Sequence, residues 1–325
     1  MWKCDKIYIC VAVMRNSRKL VTKTSSKRFR IMSASAAGRA SSGPHGVLRS
    51  THVPRARSSG RAASAPSSKS DAQGSFQVTD THKETGELAR EWIADVFENV
   101  DYERVMSSAD AFEASGEYIK QEDEDEELRY GEFDMGFFVA VVEACEPLLE
   151  GDGGGDPGAF VDVGSGRGQI PVLAAALRPW SRCTGLEYMP VLHAIAEQAP
   201  GLRDEFARAT DESRKQSLRK ALGPRFDSPA PLTFTRGDMY DPHTLHTATK
   251  GAALVFMFST KFSVDETSRC LKVSKALRKA LVVGAVAVTV NNVLDEADGF
   301  ALQMRLNGPD SERAGGSTAY IWRAV

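Results

Sequence analysis

The chain has few cysteines, and they follow no pattern. None forms a Cys-x-x-Cys pair, which argues against a zinc site built on paired cysteines and against a disulfide framework. Two histidines, His243 and His246, are three residues apart, but no third ligand is visible in the sequence. We therefore predict no metal site and expect reduced thiols at all five cysteines, Cys4, Cys10, Cys145, Cys183 and Cys270.

Long apolar runs are scarce as well. The longest one near the start, Ile7–Met14, has eight residues, whereas a helix needs about 20 apolar residues to cross a bilayer. We predict no transmembrane helix and no membrane partner.

Acidic residues are almost missing from the first 70 residues, which hold 15 Lys or Arg and one acid, Asp5. Residues 15–76 are rich in Ser, Ala, Arg and Gly, a composition that buries too little apolar surface to fold. We predict a disordered basic segment over residues 1–76. Three interpretations stay open: a transit peptide for a plastid or mitochondrion, a nuclear basic arm that contacts DNA, or an inert segment, which is either a tail or sequence upstream of a true start at Met32.

The most informative feature that is present is a glycine-rich turn after an apolar strand, Ala-Phe-Val-Asp-Val-Gly-Ser-Gly-Arg-Gly-Gln over residues 159–169. Residues without a Cβ let backbone N–H groups approach a bound ligand closely. The dinucleotide fingerprint needs its third glycine one position later, so the spacing favours S-adenosylmethionine over NAD. Asp162 supports this choice, because a carboxylate can hold an ammonium group and repels phosphate.

Two further strands also end in acids. Residues 182–188 form a short strand that ends in Glu187, where doubly wound folds place an acid that binds ribose hydroxyls. Residues 232–239 form another, ending in Asp238, which can accept a hydrogen bond from an adenine amino group. Three such strands together predict a cofactor site for S-adenosylmethionine. Its predicted residues also include Ser165 and Met239, along with the turn residues Gly164, Gly166, Gly168 and Gln169.

Strands and helices alternate along the second half of the chain. This pattern predicts an α/β fold: a doubly wound seven-stranded sheet, Rossmann-like as in class I methyltransferases, after an N-terminal helical extension. We expect the extension over residues 77–150 and the catalytic domain over 151–325. The acidic block 121–127 is either a solvated loop or a docking surface for a basic substrate. Predicted helices cover 81–99, 109–118, 135–149, 170–177, 189–222 and 264–277, and the later strands 252–258, 281–290 and an antiparallel pair, 300–306 with 318–325.

From Tyr130 to the C-terminus the pattern resembles the Dot-type (disruptor of telomeric silencing) histone-lysine methyltransferases. The resemblance rests on Tyr130-Gly-Glu132 before a helix, the strand and turn 160–169, Gly185-Leu-Glu-Tyr188, Arg236-Gly-Asp-Met239, and Val255-Phe256 with Phe262. It implies a nuclear, monomeric protein-lysine N-methyltransferase that acts on chromatin, with nucleosomal histone as its protein substrate.

The resemblance also implies a role for each matching residue. Tyr130 and Glu132 would line the cofactor pocket. Asp162, Gly164 and Gln169 would hold the methionine end of the cofactor, while Glu187 would bind the ribose and Asp238 the adenine. Tyr320 stands where the family has an aromatic residue beside the lysine channel.

The chain departs from the family after the fourth strand. The family has paired asparagines there, and this chain has Phe258 and Ser259; Phe133 likewise replaces a small hydroxyl residue. We take Phe258, Ser259 and Tyr320 as catalytic candidates, in an apolar channel that would lower the pKa of a lysine amine. The departures keep two alternatives open: a methyltransferase for an organelle protein or a small molecule, and a cofactor-binding pseudoenzyme.

Overall fold

The computed structural model describes residues 76–101, 107, 132–149, 157–262, 264–309 and 316–325. The predicted disordered segment up to residue 75, the helix 109–118 and the acidic block 121–127 lie outside these residues. Phe76, the last residue of that predicted segment, packs its ring against His82 at 5.8 Å between centroids.

A single seven-stranded sheet has the order β3-β2-β1-β4-β5-β7-β6. Strands β1 to β5 run parallel, and β7 is antiparallel to both β5 and β6. This confirms the predicted doubly wound, Rossmann-like sheet with an antiparallel pair at its edge. The strands are β1 Ala159–Val163, β2 Arg182–Glu187, β3 Leu232–Arg236, β4 Ala252–Met257, β5 Val286–Val290, β6 Phe300–Gly308 and β7 Ser317–Ala324.

Helices cover both faces of the sheet. One apolar cluster packs α1 to α6 on the first face, and a second packs α7 and α8 on the other. Every residue of β1 and β5 is buried, as expected for central parallel strands enclosed on both sides. The helices are α1 Asp80–Val96, α2 Met135–Leu149, α3 Gln169–Leu177, α4 Pro190–Ala196, α5 Ala199–Ala209, α6 Glu212–Leu222, α7 Pro242–Thr249 and α8 Leu271–Ala280.

The long helix predicted over residues 189–222 is wrong, because the segment folds as α4, α5 and α6. Pro200 lies in the first turn of α5, where proline is tolerated, whereas inside a longer helix it would remove a hydrogen bond and clash with the preceding turn. Asp211 then starts α6 by accepting a hydrogen bond from the Arg214 N–H at 3.0 Å.

The helix predicted over residues 264–277 begins later, at Leu271 in α8. Its first turns are replaced by a loop in which Asp265 Oδ1 accepts hydrogen bonds from the N–H groups of Thr267 and Arg269. Such side-chain-to-backbone bonds compete with helix formation. The fifth strand is shorter than the predicted 281–290 for a similar local reason: Gly284 adopts φ +91° and the strand starts at Val286.

Two helices of the N-terminal extension, α1 and α2, cross closely. A Cβ placed on Gly86 of α1 would lie 2.3 Å from the Cα of Gly136 in α2, so the two backbones nearly touch. Beside this contact, the buried His82 ring bonds through Nε2 to Glu143 at 2.8 Å. These contacts fix α2 against α1, and α2 packs on the sheet through the ring of Phe138, which lies edge-on to Phe160 of β1.

Within the described part of the chain, no helix combines the length and the apolar character that a bilayer span requires.

Candidate cofactor site at the carboxyl edge of the sheet

The strand order reverses between β1 and β4, since β2 and β3 lie on one side of β1 and β4 and β5 on the other. In doubly wound sheets the loops at such a point leave on opposite faces and open a crevice at the carboxyl ends of the strands. The glycine-rich turn leaves β1 at this crevice. Topology alone therefore places the predicted cofactor residues at one edge.

The three glycines of the turn all have positive φ, but two of them serve different purposes. A Cβ on Gly164 (φ +81°) would meet, among the described atoms within 4 Å, just the ring of Phe262 at 3.9 Å, so this position faces an opening. A Cβ on Gly168 (φ +87°) would lie 2.8 Å from the ring of Phe234. Gly164 thus leaves room for a ligand, whereas Gly168 lets the start of α3 pack on the sheet.

Asp162 is a buried acid at the carboxyl end of β1, with 3% of its surface exposed. Burial, and secondarily the nearby Glu187, raises its pKa well above the ordinary value for aspartate. Among the residues that the structure describes, none donates a hydrogen bond to its carboxylate. A buried carboxylate without a donor is costly, and a cationic ligand group would relieve that cost.

Glu187, by contrast, already has partners for both oxygens. Oε2 accepts from the Gly166 N–H at 2.8 Å and Oε1 from the Met189 N–H at 2.7 Å. Burial raises the pKa of Glu187, and these backbone hydrogen bonds oppose the rise. Glu187 therefore holds the glycine turn from the side of β2. Because each carboxylate oxygen has two lone pairs, the predicted contact with ribose stays possible.

Ser165 adds an unpaired hydroxyl to the same turn. Its Oγ is buried and has no hydrogen-bond partner among the described residues, and it lies 2.6 Å from the position of a Cβ built on Gly185. Gly185 is the register partner of Asp162 in β2. Gln169, the first residue of α3, is also buried. The structure thus collects several predicted residues around one turn: Asp162, Gly164, Ser165, Gly166, Gly168, Gln169 and Glu187.

Asp238 and Met239 follow β3, next to this group. The Gly237 N–H donates to the Glu187 backbone carbonyl at 3.0 Å, which joins the two strand ends. Asp238 Oδ1 accepts from the Tyr240 N–H at 2.8 Å, so part of its carboxylate shapes its own turn. Met239 packs against the second apolar cluster. Their predicted contact with adenine stays a prediction.

Arg167 was not identified from the sequence, yet it connects the glycine turn to the N-terminal extension. Its side chain is 10% exposed and donates to Glu132 Oε1 at 2.5 Å. Its guanidinium also lies over the Phe97 ring, 5.8 Å from the centroid. Glu132, predicted as a cofactor residue, is therefore next to the turn; Tyr130 lies outside the described residues.

The catalytic candidates after β4 have structural contacts. The Ser259 hydroxyl is fully buried; it donates to the Val290 carbonyl at 2.8 Å and accepts from the Val290 N–H at 3.1 Å. These bonds tie the end of β4 to the end of β5. Phe258 is half-buried, with its ring 5.3 Å from that of Phe133. A catalytic role for Ser259 or Phe258 stays a prediction.

Tyr320 lies on the other face of the sheet from Phe258. Alternation along the strands puts Phe258 with the first apolar cluster and Tyr320 with the second. The Tyr320 ring contacts Trp322 and the guanidinium of Arg305. Phe258 and Tyr320 therefore do not pack on one face of the sheet, and the predicted channel near them stays a prediction.

Two asparagines directly after β5 are further residues that the sequence reasoning missed. Asn291 (φ +66°) donates through Nδ2 to the hydroxyls of Thr260 and Ser317, and its Oδ1 accepts from the Thr318 N–H. Asn292 Nδ2 donates to the Ser259 carbonyl at 2.6 Å. Together they clamp the turn after β4 to β5 and β7. Two amides directly after an apolar strand were the available signal.

The thiols and histidines add no metal chemistry to the described residues. No group of three or more His, Cys, Asp or Glu that could hold a metal ion occurs among them. Cys145, Cys183 and Cys270 are free and buried, and burial raises the pKa of each thiol, that of Cys270 to about 12.

No family model matches the chain, and no curated protein matches it. Solved structures with a similar fold include the rRNA methyltransferase aviRa from Streptomyces viridochromogenes, with 17% identity and a TM-score of 0.43 over 61% of this chain and 88% of that one. An RNA methyltransferase from Salinibacter ruber in complex with S-adenosyl-L-homocysteine has 20% identity and a TM-score of 0.33 over 57% and 90%. A point mutant of MtNAS in complex with S-adenosylmethionine has 9% identity and a TM-score of 0.37 over 76% of each chain.

Proposed function

We propose that this chain is a methyltransferase that uses S-adenosylmethionine. The observation that carries the proposal is Asp162: a buried carboxylate without a described hydrogen-bond donor, at the switch point of a doubly wound sheet, beside a glycine that faces an opening. A site for a phosphate-rich ligand would not place a buried acid without a described donor there. A ligand with an ammonium group and no phosphate fits.

The residues around the turn fit the other parts of the same ligand. Asp162 would hold the ammonium group, and the open side of Gly164 would let the methionine end lie against the backbone. The lone pairs of Glu187 that the Gly166 and Met189 N–H groups leave available would accept from ribose hydroxyls. Asp238 lies one strand further, on the side where the adenine would extend.

The cofactor would supply an activated methyl group on a sulfonium. The protein then has to hold an acceptor in line with that group and exclude water, so its contribution is mainly positioning. Phe133 and Phe258 form an apolar wall on the same face of the sheet as Asp162. Such a wall would disfavour the charged form of an amine acceptor and so lower the pKa of that amine.

The finer proposal is that the acceptor is a lysine amine of a protein, with nucleosomal histone as the first candidate. It is supported by the Dot-type sequence resemblance and by the position of Glu132, which the Arg167 contact places beside the glycine turn. The basic N-terminal segment would contact DNA in the nucleus. If it acts as a transit peptide instead, the acceptor is sought in a plastid or mitochondrion.

The experiment that tests the proposal is transfer of label from S-adenosylmethionine labelled in its methyl group. Intact nucleosomes, free histones, total RNA and a small-molecule extract are assayed in parallel with the full chain and with Asp162→Ala. Label on nucleosomal histone that disappears in the variant supports the finer proposal. Label on another fraction would support the methyltransferase proposal and identify a different acceptor.

The remaining outcomes separate binding from catalysis. If the chain binds S-adenosylmethionine but labels no fraction, it is a cofactor-binding pseudoenzyme, and the doubly hydrogen-bonded hydroxyl of Ser259 gives a structural reason. If it binds no S-adenosylmethionine at all, the proposed function is refuted.

A further inference from the structure

Arg167 is the least expected residue of the candidate site. It lies between two glycines of the turn, Gly166 and Gly168, whose φ values of +54° and +87° give the backbone its shape. Its charged side chain is nevertheless about nine-tenths buried. A buried cation is costly unless it is paired, so its partners have to explain its position.

Two of its partners, Glu132 and Phe97, belong to the N-terminal extension. Glu132, just before α2, accepts the hydrogen bond from Nη2, and Phe97, just after α1, offers its ring face to the guanidinium. Arginine favours such contacts because it pairs with carboxylates and stacks on aromatic rings. A side chain of the cofactor turn thus ends in the extension.

The turn is consequently held from two directions. From the sheet, Glu187 binds the Gly166 N–H at 2.8 Å. From the extension, Glu132 and Phe97 hold the next residue, Arg167. Displacement of either support would change the backbone geometry of the turn.

We propose that Arg167 is a positioning residue for the cofactor, and that its contact with Glu132 makes the N-terminal extension a working part of the cofactor site. This inference rests on the proposed function. It goes beyond it by stating that cofactor affinity depends on an ion pair between the turn and the extension.

The test is calorimetric titration of S-adenosylmethionine into the full 325-residue chain and into Arg167→Met, Glu132→Gln and the double variant. We expect Arg167→Met to weaken binding by about tenfold or more, a typical size for coupling between linked sites. The double variant should bind no more weakly than Arg167→Met, because Glu132 acts through Arg167.

Arg214→Met is the matched control. Arg214 also pairs with acids of α1, Glu91 at 3.1 Å and Asp95 at 3.4 Å, but it extends from α6 and has no contact with the turn. Removing this partly exposed ion pair should cost little stability and leave the dissociation constant unchanged. A general effect of loosening α1 would instead weaken binding in both arginine variants.

A second readout separates positioning from a purely structural role. In the wild type, bound S-adenosylmethionine should slow amide exchange in residues 92–101 and 132–136, since coupling between two sites is reciprocal. Arg167→Met should remove that protection while retaining the exchange pattern of the free protein. If Arg167→Met does not fold, Glu132→Gln and Arg167→Lys decide, and both should weaken binding.

The inference would be overturned if Arg167→Met bound the cofactor with wild-type affinity. It would also be overturned if the two substitutions weakened cofactor binding independently, so that their effects multiplied in the double variant. Either result would leave the proposed function intact. Absence of any binding by the wild type would overturn both.

Discussion

The two halves of the carboxyl edge of the sheet differ in how completely their buried polar groups are hydrogen-bonded. Around β1 and β2, a buried acid has no described donor, a buried hydroxyl is unpaired, and a glycine faces an opening, at Asp162, Ser165 and Gly164. Around β4, β5 and β7, the polar groups of Ser259 and Asn291 are bonded to neighbouring side chains and to the backbone. One half is incomplete without a ligand, and the other is complete as it stands.

This difference indicates that the β1–β2 half is the one that binds a ligand. Unsatisfied buried polar groups cost stability, so their retention in the β1–β2 half points to a ligand that completes them. The β4–β7 half contributes shape and apolar surface instead. The cofactor can therefore be argued from contacts, whereas the acceptor has to be found by assay.

The largest expected effect separates two glycines within the cofactor half. Gly168→Ala should cost about 2–5 kcal/mol of unfolding free energy, since its Cβ would strike Phe234 at 2.8 Å in a left-handed backbone. Gly164→Ala should cost about 1–2 kcal/mol, from the backbone alone, yet greatly weaken cofactor binding. Urea unfolding and calorimetry of both variants check this. Equal binding by Gly164→Ala and the wild type would show that the opening is not the ligand site.

The second prediction concerns the free-energy cost of burying the Asp162 carboxylate. A raised native pKa means that the folded protein binds more protons than the unfolded chain, so unfolding free energy falls as pH rises from about 4 towards the raised pKa of Asp162. Each pKa unit between the two states is worth about 1.4 kcal/mol.

Asp162→Asn should remove this term. Without cofactor, its melting temperature should exceed that of the wild type by an amount that grows from pH 4 and then levels off. Thermal melts of both proteins from pH 4 to 8 measure the difference, in which the contribution of Glu187 largely cancels. Melting temperatures that differ by the same amount at every pH would show that folding does not raise the pKa of Asp162.

A third prediction tests the support on the β2 side. Glu187→Gln retains the shape but replaces one acceptor oxygen by a donor, so the N–H of Gly166 or of Met189 loses its partner. We expect a loss of about 1–3 kcal/mol in unfolding free energy together with weaker cofactor binding. Denaturant melts and titration calorimetry measure both; an unchanged affinity would remove Glu187 from the site.

The smallest effect should come from the β4–β7 half. Asn291→Gly retains the positive φ but loses the side-chain bonds, whereas Asn291→Ala loses both. The alanine variant should therefore be less stable than the glycine variant by about 1–2 kcal/mol, and both should bind the cofactor with wild-type affinity. A large loss of cofactor affinity in Asn291→Gly would show that the β4–β7 half also takes part in cofactor binding.

What the sequence could predict follows from local pattern. Continuous apolar runs are typical of buried parallel strands, and glycines of positive-φ turns, so β1, its turn and the doubly wound sheet could be predicted. Contacts between distant residues were not: Arg167 meets Glu132, and Asn291 meets Thr260 and Ser317, without any local signal that pairs them. The break between α4 and α5 did have a local signal, Pro200, which the helical spacing of the apolar residues outweighed.

The measurement that tests the central claim most directly is calorimetry of two ligands with the wild type and Asp162→Asn. S-adenosylmethionine carries the ammonium group, and 5′-methylthioadenosine lacks the amino-acid end. We predict that the substitution weakens binding of S-adenosylmethionine by about 100-fold, the range for loss of one partner of a buried charge pair, and leaves binding of methylthioadenosine unchanged. Equal affinity of both proteins for S-adenosylmethionine would contradict the account.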